Sequence, residues 1–171
     1  MFDNNILDYE RMFKHACAFL DCAKYCEIEP NNIEYRTMSH NVANIVNSAF
    51  ACEVFIKSLL SFHGISGNKL KGHELKELWN KLRILDSKNT LLVKKSIESW
   101  FNSENENLFD ELLDSVSNAF EYGRYIYEKD NWNINTNFLR GFRNILREFC
   151  CNQFYKKSWS DYIKNDQKCE G

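Results

Sequence analysis

A chain of 171 residues that is 44% hydrophobic and 27% charged can bury one core of ordinary size, which excludes a disordered or low-complexity polypeptide. Its formal net charge of −2 excludes recognition of nucleic acid or membrane by a global field, so electrostatic recognition must come from a local patch. One proline, Pro30, and six glycines leave few breakers, which favours long helices over short strands.

The first helix is expected from about Leu7 to Cys26, with Ile6, Tyr9, Met12, Phe13, Ala16, Leu20 and Ala23 on one stripe. The polar run Glu27–Asn32, which holds Pro30, interrupts it. A long second helix covers about Tyr35 to His63 and stops at Gly64, which suits a left-handed cap. Beyond Gly72, the spacing of Leu75, Leu78, Trp79 and Leu82 predicts a third helix, and a fourth follows over about Thr90 to Phe101. After the polar segment Asn102–Asn107, a fifth helix is expected from about Leu108 to Glu128. Asn133 to Thr136 can cap a sixth that reaches Phe154, with a break before Trp159 and a frayed tail after Ile163. The expected fold class is therefore all-α, a helical bundle of about five to six helices. No repeat or linker divides the chain, so one domain is expected over residues 1–171, with its core over about 5–160.

Seven cysteines are an odd number, and Cys17, Cys22, Cys26 and the pair Cys150–Cys151 do not repeat as CxxC units. The start, Met1 to Asn5, lacks a basic segment followed by an apolar run, so reduced core cysteines in the cytoplasm are the expectation. No apolar stretch long enough to span a bilayer is expected, and no membrane partner. His15, His40 and His63 lie on separate helices without ligand spacing, so no metal or cofactor is expected.

Several polar side chains fall where a bundle would bury them. On the second helix, at about 100° per residue, Val42, Val46, Ala49, Ile56 and Leu60 form an apolar face, and Glu53 lies inside it. A buried carboxylate needs a partner. Lys57, one turn later, can supply a plain surface pair, or Glu53 can orient a base or cation in a pocket between helices. His73 precedes the third helix, where the positive end of the helix dipole disfavours imidazolium; it either caps that helix or exchanges a proton. On the fifth helix Arg124 borders the core stripe and Glu128 lies one turn on, while Gly123 on the stripe would let a neighbour approach closely. Arg124 either packs in a surface ladder or reaches toward Glu53 or a phosphate. Arg140, Arg143 and Arg147 share one face of the sixth helix, either as a solvated face or as an RNA or phosphate patch extended by Lys156 and Lys157.

The run that holds Ala51, Glu53, Lys57, Leu59 and Leu60, followed by Lys71-Gly72-His73-Glu74-Leu75 and Leu78, resembles the HEPN superfamily. There a helix carrying A-x-E-x-x-x-K-x-L-L precedes a glycine turn and K-G-H-[DE]-L-x-x-L. The later Arg124-Tyr125-Ile126-Tyr127-Glu128 is similar to the R-Y-x-Y-E stretch of some bacterial members. The resemblance spans roughly residues 40 to 130. It implies a helical bundle, often a homodimer, that binds nucleotides or RNA through Glu53, Lys57, His73, Arg124 and Glu128. It also implies a place in bacterial defence or toxin–antitoxin systems, with a nucleotidyltransferase or other protein as partner.

Catalytic members of that family are metal-independent ribonucleases built on arginine and histidine separated by four to six residues. Here Arg36 and His40, like Arg11 and His15, enclose three residues, and no histidine closely follows Arg124 or Arg147. Ribonuclease activity is thus not carried over by motif. An atypical endoribonuclease would draw on His73, Arg124, Arg36 and His40, the last two sharing a helix face at i, i+4. The third reading is a structural interaction subunit, in which the same residues only tie helices together.

Overall fold

A computed structural model of the chain describes residues 8–27, 34–124 and 134–169, of which 34–39, 124 and 165–169 are described as backbone alone. The longest of the described helices forms the centre. Helix α1 (Asp8–Cys26) packs against α2 (Glu34–Phe62), and a short 3-10 turn (Gly67–Leu70) leads to α3 (Leu75–Leu85) and α4 (Ser87–Trp100). Then come α5 (Leu108–Val116), α6 (Ala119–Arg124), α7 (Thr136–Tyr155) and α8 (Trp159–Cys169). The fold is all-α, with no strand among the described residues.

Helix α2 is covered on several sides, by α1, α3, α6 and α7. Its buried residues accordingly fill one broad face of the helix: Ile45, Ala49, Cys52, Phe55, Ile56, Leu59 and Leu60. The stretch His40–Phe62 is in fact long and apolar enough to cross a membrane, which corrects the expectation that no such stretch exists. Gly64 ends the helix as expected, at φ +86°, and the Ile65 amide donates back to the Leu60 carbonyl at 3.0 Å.

The expected stripe of α3 is the one found, with Leu75, Leu78, Trp79 and Leu82 all buried. Trp79, Phe109, Phe138 and Phe142 pack with centroid separations of 5.1–5.8 Å, joining α3, α5 and α7. Gly141 of α7 lies under Trp100, and a methyl group there would fall inside the indole ring, so the glycine permits the closest approach of α4 to α7.

The helix expected over Leu108–Glu128 is interrupted. Between α5 and α6 the Ser117 carbonyl accepts from the Leu75 amide at 3.1 Å, while its hydroxyl accepts from the Lys76 amide at 3.0 Å. Ser117 thereby satisfies two of the open donors at the start of α3, where Glu74 makes no side-chain cap. Part of the expected fifth helix, including Glu128, lies outside the described residues. At the other end Asn135 caps α7, accepting from the Phe138 amide at 2.9 Å. Lys156, at φ +56°, turns the chain into α8, whose first amide, Trp159, donates to Glu148 at 3.1 Å.

Candidate functional site

Glu53 has its side chain 2% exposed in the middle of α2. An isolated carboxylate there would lose its hydration with no return. Two groups answer it. Lys57, one turn later, donates from Nζ to Oε1 at 2.7 Å, and His73 places Nδ1 3.1 Å from Oε1 and 3.2 Å from Oε2. Lys57 keeps only 16% of its side chain exposed, whereas His73 keeps 51%. The structure thus brings together three of the residues singled out in the sequence.

The geometry fixes the chemistry of the imidazole. An ionised carboxylate only accepts hydrogen bonds, so the Nδ1 that faces it carries the proton. In the neutral ring Nε2 is then a lone-pair acceptor on the other edge. Behind the ring stands an aromatic column. His73 stacks on Phe120 at 5.5 Å, Phe120 on Phe50 at 5.0 Å, and Phe19 meets Phe50 edge-on at 4.4 Å. Gly72, at φ +112°, makes the turn that carries His73 across to α2, and the Ser117 cap holds the start of α3 beside it. Gly123 does what its place on the stripe suggested: it sits against Val46, so α6 lies close on α2 and presents Phe120 to the histidine.

The other candidates fall elsewhere. The side chains of Arg124 and Arg36 lie outside the described residues, as does Glu128 altogether. His40 is half-buried, and its Nδ1 has no hydrogen-bond partner among the described residues. Among the described residues no group of three or more His, Cys, Asp or Glu side chains is placed to hold a metal ion.

No family model, curated protein or solved structure matches the chain.

Arg140, Arg143 and Arg147 do not form one exposed stripe. Arg140 is exposed and donates to Asn137 at 3.3 Å, but Arg143 is 0% exposed. Its guanidinium donates to Glu27 at 2.5 Å, to Asn44 at 3.0 Å and to the Ser48 hydroxyl. Arg147 is half-buried with its guanidinium 4.4 Å above the Trp159 ring, and desolvation lowers its pKa. The physical reason is angular. Arg143 follows Leu139 by four residues, only about 40° round the helix, so the packing of α1 and α2 on α7 encloses it with its neighbour. A phosphate patch through Arg143 is thus corrected to a buried ion pair with two polar partners. The sequence carried a signal for it, since Asn44 and Ser48 stand at i, i+4 and so share one face of α2.

Proposed function

We propose that the chain is a nucleotide- or RNA-binding helical domain in which His73 is the contact residue, with Glu53 and Lys57 as the pair that positions it. One observation carries the reading. The buried Glu53 carboxylate holds the inner nitrogen of a half-exposed imidazole that is backed by Phe120, leaving the ring's outer edge open to a ligand. A protonated or neutral imidazole so held can donate to or accept from a phosphate, ribose or base edge without first losing rotamer freedom. The residues concerned are also those through which the sequence resembles the HEPN superfamily, and that resemblance extends the proposal to a cytoplasmic homodimer in a defence or toxin–antitoxin system. Light scattering that gives a monomer at micromolar concentration would remove the dimer.

Equilibrium titration of fluorescent nucleotides and short RNAs into wild type, His73→Ala and Glu53→Gln tests the binding. Saturable binding that weakens about tenfold in His73→Ala is the expected result. Absence of binding, or equal affinity in all three proteins, refutes the proposal.

A second reading, a structural interaction subunit, is favoured by the burial of Glu53 in a closed pair with Lys57. On that reading Glu53→Gln lowers thermal stability and neither nucleotide nor RNA binds. An endoribonuclease requires more than His73, because a cation must bear the charge of the phosphorane.

A further inference from the structure

The end of α2, the 3-10 turn and the last turns of α3 enclose an open cavity of about 450 Å3. Its hydrocarbon walls are Leu60, Ile65, Ile84 and Leu85, and the polar atoms come from Asn68, Lys69 and Lys81. Ile84 is 84% exposed and Leu85 44% exposed. Neither belongs to the Leu75, Leu78, Trp79 and Leu82 stripe that α3 buries, so the core does not account for them. The charges at this cavity are of one sign. Lys57, Lys76 and Lys94 each meet a carboxylate, whereas Lys69 and Lys81 have none within ion-pair distance among the described residues, and no carboxylate lines the cavity.

We propose that this cavity binds a single-chain amphiphile with an anionic head, of the fatty-acid class. The alkyl chain lies on Leu60, Ile65, Ile84 and Leu85, and the carboxylate faces the two lysines. Removing an alkyl chain and the exposed surface of Ile65, Ile84 and Leu85 from water together supplies the driving force, with the already buried Leu60 as the floor, and the volume falls in the small-molecule range of roughly 300–1,000 Å3. An extended peptide is disfavoured because its backbone N–H and C=O groups would meet walls able to answer only through Asn68 and the lysines. An alkyl chain has no such groups to satisfy. A cationic head would meet two like charges. The cavity shares no residue with the Glu53–Lys57–His73 cluster, so the two proposals stand or fall separately.

Calorimetric titration of dodecanoate below its micellar concentration into the full chain tests this, with dodecyltrimethylammonium as the cationic amphiphile of equal length. Lys69→Ala/Lys81→Ala and Ile84→Asp are the variants, and all three positions are exposed, so the fold does not depend on them. Expected are one-to-one saturable binding of dodecanoate, a loss of about tenfold in each variant, and binding of the cation weaker by a similar factor. The proposal is overturned if dodecanoate does not bind, if both variants bind it as wild type does, or if the cation binds equally well. An acidic peptide that binds where dodecanoate fails would also overturn it and assign the cavity to a protein partner.

Discussion

Glu53→Gln removes one charge and almost no volume from the middle of α2, which makes it the sharpest perturbation of the cluster. The carboxylate accepts from Lys57 at 2.7 Å and from His73 at 3.1 and 3.2 Å. A glutamine keeps one accepting oxygen for one of them and turns an NH2 group toward the other donor. Lys57, mostly buried, then holds a cation whose partner is gone, although its long stem lets the ammonium move toward water. His73 is half-exposed and contributes less, because solvent screens its contact. Losing a charge-assisted hydrogen bond and unpairing a largely buried cation together cost about 2–3 kcal/mol. In a domain of this length that lowers Tm by about 4–12 °C. Thermal and urea unfolding followed by circular dichroism measure it, with His73→Ala and the double variant completing a cycle. Coupling between positions 53 and 73 is expected to be favourable and smaller than the single effect of Glu53→Gln. A change within about 0.5 kcal/mol would refute the reasoning, because such a value belongs to an exposed, unpartnered carboxylate.

Three further outcomes follow from the packing. Arg143→Lys retains the charge but loses the fork that reaches Glu27, Asn44 and Ser48 together, and is expected to destabilise by about 2–3 kcal/mol in urea unfolding. Gly141→Ala must displace Trp100, whose indole occupies the space of the new methyl group; tryptophan emission should shift to the red and stability should fall by about 1–3 kcal/mol. Burial raises the thiol pKa of Cys17 from 9.0 to about 12 and raises those of Cys52 and Cys150 as well. Above pH 9 the unfolded chain loses these protons while the folded chain keeps them, so stability falls as pH rises through the window from 9 to about 12. Tm measured across that range should drop steeply, and a flat profile would contradict the burial of these thiols.

The parts of this fold that were legible in the sequence are those set by local periodicity. The α3 stripe, the Gly64 stop, the cap within Asn133–Thr136 (found at Asn135) and the break before Trp159 each depend on a few adjacent residues, and each is found. The interruption at Ser117 was not legible. Its own backbone angles are helical, and what diverts its carbonyl is a donor 42 positions away in sequence, at Leu75. Arg143 was misread for a similar reason: a helix taken alone has a boundary between its faces, and only the neighbours decide on which side a residue 40° from a buried leucine falls. Glu53 was the opposite case. A carboxylate on an apolar face demands a partner wherever the helix packs; of the groups placed with it from the sequence, Lys57 and His73 are found on it, and the side chain of Arg124 lies outside the described residues.

The proposed site depends on the orientation of one imidazole. Long-range 1H–15N correlation spectra of the His73 ring across a pH titration report which nitrogen carries the proton. The structure predicts a neutral ring protonated at Nδ1, with Nε2 unprotonated, and a loss of that preference in Glu53→Gln. A neutral ring protonated at Nε2 in the wild-type protein, or a tautomer unaffected by the substitution, would contradict it.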